Sequence, residues 1–208
     1  MAVLLGLIAS YLLGSIPVAL LVGKFYGGID VRKLGSGNIG ATNVARTVGK
    51  KAGLITLIGD MLKGALPVAF FILFVGTDTL THQLLVCLAG LAAFLGHLFS
   101  IYLKFKGGKG VATATGVFLV LCPLAILGDF LVFLCVAWRW RYVSLASITA
   151  AAFLPTWVGL VTNKKLYIVL AVVIGILIIY RHKDNIHRLL QGKEPNFSFT
   201  PPANSAGG

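Results

Sequence analysis

The sequence predicts an all-α integral membrane protein with seven transmembrane helices, its N-terminus outside and its C-terminus cytoplasmic. Three observations carry that prediction. Charged residues make up 12% of the 208-residue chain and hydrophobic residues 58%, where a soluble domain carries about 25% charged residues. Long apolar stretches recur along nearly the whole length, as expected of helices that satisfy their own backbone hydrogen bonds in lipid. The basic residues gather between those stretches and fall mostly on one side, which matches the positive-inside tendency.

The apolar segments are 3–22, 54–75, 84–103, 111–121, 123–138, 143–161 and 166–180. Residues 111–138 read either as one long helix or as two short ones broken at Cys122-Pro123, since proline removes a helical hydrogen bond and restricts the residue before it. Charge decides between these. Seven spans place 15 of the 18 Lys and Arg residues in cytoplasmic segments, and six spans place only 11 there. Seven spans are therefore expected, the two after Lys109 being short for a hydrocarbon core of about 30 Å. No Lys or Arg precedes the first segment, and Lys24 follows it. This argues against a cleavable signal peptide and for an outward N-terminus.

One domain is expected over residues 1–199, with residues 200–208 a disordered tail of Pro, Ser, Ala and Gly. The net charge of +12 would suggest nucleic-acid affinity in a soluble protein. Here topology and anionic headgroups account for it, so no nucleic acid is expected. Cys87, Cys122 and Cys135 lie in apolar runs, are odd in number and lack metal-ligand spacing. They read as small buried hydrophobes.

Three polar segments carry the chemistry. In Gly35-Ser36-Gly37-Asn38-Ile39-Gly40-Ala41-Thr42-Asn43-Val44-Ala45-Arg46, glycines let bare N–H groups approach an anion. Ser36, Asn38, Thr42 and Asn43 add short polar side chains, and Arg46 adds a fork suited to phosphate. A flexible glycine loop would need none of these, so an anion site is expected. In Lys106-Gly107-Gly108-Lys109-Gly110, lysines flank glycines just before a helix start, where ammonium groups and helix amides can hold a phosphate. It is not a Walker loop, because the six-residue frame is missing. In Arg181-His182-Lys183-Asp184-Asn185-Ile186-His187-Arg188, His182 and Asn185 share one helix face if the last span continues. Spacing alone leaves that segment open between a site and an amphipathic lipid-binding stretch.

Asp60, Lys63 and His97 lie inside apolar segments, where ionisable groups are costly. Their spacing leaves open an ion pair holding helices together or a catalytic role. Ser144 and Ser147 follow the Arg139–Arg141 turn and would join the same cytoplasmic layer. Only six acidic residues are present, scattered along the chain, too few for a two-metal site or a carboxylate-rich Mg²⁺ cage. No histidine is followed five positions on by aspartate.

These motifs resemble the bacterial acyl-phosphate-dependent glycerol-3-phosphate acyltransferases. The likeness rests on Gly35 to Arg46, on Phe105-Lys-Gly-Gly-Lys-Gly-Val-Ala-Thr113, and on His182-x-x-Asn-Ile186 with Gly192-x-Glu194. Lesser agreements are Gly14-Ser15, Asp60-x-x-Lys-Gly64, Gly96-His97 and Arg141 to Ser147, while Ser100 stands where proline is expected. The resemblance implies a seven-span fold in the bacterial cytoplasmic (inner) membrane with its site facing the cytoplasm. It implies transfer of an acyl group from acyl phosphate to the 1-hydroxyl of sn-glycerol 3-phosphate, giving lysophosphatidic acid and phosphate. No metal and no cofactor are implied. Expected partners are the two substrates, membrane lipids and the soluble enzyme that makes acyl phosphate, and a monomer is expected.

On that resemblance Asn185, His182 and Ser36 are the catalytic candidates. Gly35, Gly37, Asn38, Gly40, Thr42, Asn43, Arg46, Lys106, Gly107, Gly108, Lys109 and Ser144 are the substrate-binding ones. The first loop is expected to hold the acyl phosphate. Lys106, Arg46, Ser144 and His182 are expected to hold the glycerol phosphate, and Asn185 the developing oxyanion. The rival reading is an anion or lipid-headgroup transporter, favoured by Asp60, Lys63 and His97. Against it, the glycine loops crowd one face, whereas alternating access needs a midplane site.

Overall fold

The computed structural model of the chain describes residues 1–196 and is all helical among them. The tail read as disordered, residues 200–208, lies outside the described residues. Helices α1 (Ala2–Ser15) and α2 (Val18–Gly27) come from the first apolar segment, α4 (Lys50–Val75) from the second and α5 (Leu80–Leu98) from the third. Helices α6 (Val111–Leu121), α7 (Pro123–Trp140), α8 (Val143–Val161) and α9 (Lys165–Arg181) follow, with the polar α10 (Lys183–Leu190) at the end. A short α3 (Ala41–Thr47) lies within the first polar segment.

Prolines set two of the breaks. Pro123 opens α7 at its first turn, where the missing N–H costs nothing, so residues 111–138 form two helices. Pro17 interrupts the first segment, which is two helices rather than one. That break takes the Ile16 carbonyl out of the helical ladder, and Lys63 Nζ donates to it at 2.9 Å.

By length and composition five helical stretches can cross a bilayer, or six if the pair α9–α10, bent by 57°, counts as one. The element that falls short of the expected seven is α6. It has 11 residues, about 16 Å of helix. Its Thr113, Val117 and Phe118 are fully buried by neighbours.

The core joins α4, α5, α6, α8 and α9 through Val68, Phe94, Leu98, Val117, Phe118, Val158 and Ile174. Helices α1 and α5, α4 and α6, α7 and α8, and α8 and α9 are the principal packing pairs. Small residues bring α4 and α6 backbone to backbone: a Cβ on Gly64 would overlap the Thr113 carbonyl, and one on Gly116 the Met61 carbonyl. Close approach of this kind replaces the hydrophobic driving force that lipid removes. Large apolar side chains point outward along the long helices, among them Leu4, Phe70, Leu124, Leu131 and Leu160, as a lipid-facing belt requires. Cys87 and Cys122 are buried, but Cys135 is exposed on that belt.

Candidate active site

The first polar segment is folded around one side chain. Asn43, on α3, is buried; its Nδ2 donates to the Val31 carbonyl at 2.9 Å and the Leu34 carbonyl at 3.2 Å, and its Oδ1 accepts from Ser36 N–H at 2.9 Å. Gly35 and Gly37 take φ of 57° and 68°, left-handed values that side chains resist. Upstream, Asp30 caps a 3₁₀ turn at Arg32 N–H and pairs with the Arg32 guanidinium at 2.7 Å. The Arg32 side-chain hydrogen bond above all holds the Asp30 carboxyl at about 2. Asn43 is thus the pin of the loop. All three of its bonds are internal, and it presents Ser36, Gly37 and Asn38 outward.

The second segment is folded onto neighbouring helices. Gly107 N–H donates to the Leu98 carbonyl and Gly108 N–H to the His97 carbonyl, both at 3.1 Å. From α9, Arg181 Nη2 donates to the Gly107 carbonyl at 2.7 Å and Nε to the Gly108 carbonyl at 3.1 Å. Before them, Lys104 and Phe105 both adopt positive φ without being glycine. The segment therefore emerges rigidly, and Lys109 projects from it.

The third segment closes the site. Lys109 Nζ donates to Asn185 Oδ1. Asn185 Nδ2 donates to Glu194 Oε1 at 2.6 Å, and Arg188 Nε to Glu194 Oε2 at 2.8 Å. Burial tends to raise the Glu194 carboxyl. Ser144, Asn185 and Arg188 outweigh it, so the group is held below its usual value. Ser144 faces that carboxylate without a bond of good geometry. Burial lowers Lys109 to about 8, with Glu194 opposing and Arg188 adding to the effect. His182 caps α9, is buried, and sits at about 4 because burial first and Lys109 second oppose its charge. Its Nδ1 lies 2.8 Å from the Ile178 carbonyl. In the neutral ring Nδ1 then carries the hydrogen, and Nε2 is an acceptor.

These three segments share one cleft of about 280 Å³, lined by Ser36, Gly37 and Asn38, by Lys109, and by residues from Tyr180 to Arg188, Asn185 among them. Four cations, Lys109, Arg181, Lys183 and Arg188, line it against one carboxylate, Asp184, with Glu194 outside the lining and paired to Arg188. Gly35 and Asn43 shape its loop wall, Gly40 N-caps α3, Thr42 is exposed and outside the lining, and Gly107 and Gly108 support Lys109. Ser144 and His182 stand behind it. Arg46 and Lys106 are exposed and outside its lining. Sequence reasoning passed over Arg181, Arg188 and Glu194 as site residues. Their signal was a dense run of ionisable side chains at the end of the last apolar segment, which also reads as lipid attraction.

Asp60, Lys63 and His97 are not on the cleft. Lys63 Nζ lies 2.8 Å from Asp60 Oδ1, an ion pair poorly aligned as a hydrogen bond, and His97 Nδ1 lies 3.7 Å from the same oxygen.

Fold and cleft together define a membrane-embedded helical protein with a cationic, glycine-walled site at one end of its bundle. The family model of glycerol-3-phosphate acyltransferase matches residues 4–192. A glycerol-3-phosphate acyltransferase of Geotalea daltonii is 50% identical over 191 residues, 92% of this chain and 95% of that protein. One of Trichlorobacter lovleyi is 52% identical over 189 residues, 90% and 94% of the two chains. The crystal structure of PlsY (YgiH), an integral membrane glycerol 3-phosphate acyltransferase, in its glycerol 3-phosphate form is 43% identical with a TM-score of 0.86, covering 95% of this chain and 96% of that one. Its lysphosphatidic acid form is 42% identical with a TM-score of 0.87 over the same shares. The chain belongs to the glycerol-3-phosphate acyltransferase family.

Proposed function

We propose that the protein transfers a fatty acyl group from acyl phosphate to the 1-hydroxyl of sn-glycerol 3-phosphate, giving lysophosphatidic acid and phosphate, the first step of phospholipid synthesis. One observation carries the reading beyond family membership. Segments far apart in sequence, at residues 36–38, 109 and 180–188, converge on one cleft whose cations outnumber its carboxylates four to one. Two phosphorylated substrates need that charge balance.

The donor is a mixed anhydride and already activated. The enzyme's task is to neutralise two phosphates and align a hydroxyl with a carbonyl carbon. Ser36, Gly37 and Asn38 hold the acyl phosphate. Lys109 and Arg188 hold the glycerol phosphate, in place of the exposed Lys106 and Arg46. The hydroxyl oxygen attacks the acyl carbon, the bond from that carbon to the phosphate oxygen breaks, and phosphate leaves with the hydroxyl proton. His182, neutral with Nε2 free to accept, orients the hydroxyl rather than carrying charge. Asn185 is engaged at both ends by Lys109 and Glu194. Only its NH₂ can donate to an oxyanion, so either Glu194 must release that group or its second hydrogen must serve.

The same reading places the chain in the cytoplasmic membrane with seven spans, N-terminus outside, as a monomer with its cleft facing the cytoplasm. Counting α6 as a span, sheltered by its neighbours, puts the segments at Lys24–Lys51, Lys104–Lys109, Arg139–Arg141 and Arg181–Lys193 on one side. The acyl-phosphate-making enzyme is then the partner that supplies the donor.

Purified protein in lipid, given acyl phosphate and labelled glycerol 3-phosphate with and without chelator, is expected to form labelled lysophosphatidate equally in both. No product sinks the reading, and loss with chelator sinks its metal-free chemistry.

A further inference from the structure

The buried ionic cluster is not explained by the cleft chemistry. Asp60, Lys63, His97 and Thr113 are each at most 5% exposed and touch no part of the cleft lining. An ion pair inside a bilayer costs several kcal/mol of desolvation, and an apolar pair of similar volume is often as stable. Holding helices together is therefore a weak reason to keep charges there.

The contacts lead elsewhere. The Ile16 carbonyl, released by the Pro17 break, anchors Lys63, and Lys63 pairs with Asp60. Asp60 and the Thr113 hydroxyl, the latter at 3.1 Å, both face His97 Nδ1. The far edge of the same ring lies directly under Gly108, where an added Cβ would overlap Nε2. His97 and Leu98 end α5, and their carbonyls, left over from the helical ladder, accept the Gly108 and Gly107 N–H groups. Arg181 takes the two outward carbonyls of the same glycines. Every backbone polar group of Gly107 and Gly108 is thereby fixed, one residue before Lys109.

We propose that Asp60, Lys63, His97 and Thr113 are positioning residues for Lys109, setting the His97 ring as the floor on which Gly108 rests and so the point at which the Lys109 ammonium enters the cleft. This rests on the phosphate-binding role of Lys109 proposed above. A short chain of polar contacts suits the task because each contact fixes distance and angle, which apolar packing does more loosely.

The test is a pair of double-mutant cycles measured on folded protein in lipid, with kcat and KM for both substrates. Thr113→Val keeps the shape and removes only the hydroxyl that orients the ring. It is expected to lower kcat/KM for glycerol 3-phosphate about two- to tenfold, through KM rather than kcat, beside the modest fall in melting temperature that loss of one buried hydrogen bond entails. Gly108→Ala is expected to lower it about tenfold or more, since the methyl must displace the ring. In a Lys109→Ala background both changes are expected to have little further effect. If Thr113→Val and Gly108→Ala cost the same factor with and without Lys109, the cluster does not act through Lys109 and the inference is overturned. If Lys109→Ala alone leaves kcat/KM for glycerol 3-phosphate unchanged, the site reading itself fails, which is a different result. Should Gly108→Ala not fold, the Thr113→Val cycle decides alone.

Discussion

The two glycine-rich segments that meet at the cleft are built on opposite plans. The segment at Gly35–Gly40 is exposed from Gly35 to Gly37 and held from within, by Asn43 and by glycines at left-handed φ. The segment at Lys106–Gly110 is held from without, by the carbonyls ending α5 and by Arg181. In the first, glycine supplies conformation, and Ser36 to Asn38 face the cleft. In the second, glycine supplies closeness to a neighbouring helix, and only the lysine after it is presented. Similar composition thus serves a ligand-facing wall in one place and a mount for a single cation in the other.

That contrast can be broken experimentally, and the largest expected effect lies at the mounted cation. Lys109→Ala is expected to lower kcat/KM for glycerol 3-phosphate by about 100-fold, the scale of a charged hydrogen bond of about 3 kcal/mol, as read by initial rates with each substrate varied in turn. The pH profile should carry the same residue's signature. Burial holds Lys109 at about 8 against its usual 10.5. The folded protein therefore loses this proton before the unfolded chain does. Between those values the unfolded state binds more protons, so this group's contribution to stability rises with pH while phosphate binding falls. Activity is expected to decline above about pH 8 as thermal stability does not, and Lys109→Arg should move the decline upward.

Next in size is the pin of the exposed loop. Asn43→Ala removes three internal hydrogen bonds and is expected to cost about 2 kcal/mol of stability, seen as a lowered melting temperature. It should also raise KM for acyl phosphate more than for glycerol 3-phosphate. Gly35→Ala is of similar size, about 2 kcal/mol, because it forces a side chain to positive φ and its Cβ would overlap Asn43 Oδ1, displacing the pin itself, with the same substrate bias. Lys106→Ala, on an exposed side chain outside the cleft, is expected to change either KM less than about threefold. A large effect there would mean that the segment swings on binding and is not a rigid mount.

Much of the architecture was legible in the sequence. Hydrophobic stretches and a proline at position 123 marked the long helices, because lipid leaves the backbone few alternatives. The break at Pro17 was passed over because apolar residues continue on both sides of it, and hydropathy does not register a missing N–H. The first two polar segments were recognisable as anion sites because their Gly, Ser and Asn residues, unlike their basic ones, had no topological reason to gather there; the third was separated from a lipid-binding stretch only by the family resemblance. Which side chains face ligand was not legible. Asn43 and Asn38 look alike in the sequence, as do Lys106 and Lys109, and only contacts with residues 7 to 76 positions away separate them. Asp60 and Lys63 were recognisable as neighbours, but their link to Gly108 runs through His97 on another helix.

The 57° turn between α9 and α10 has a consequence for traffic. On the proposed reaction one substrate is a small water-soluble dianion, and the product drags a hydrocarbon chain. On that reading, a site built where a crossing helix gives way to a polar one is expected to be reached from water and from the leaflet. The glycerol phosphate would then enter from the water side and the acyl chain from the lipid side, and neither would have to cross the other's medium. Synthesis and delivery of the lipid then become one event, with the new molecule released already seated in the layer where it will be used.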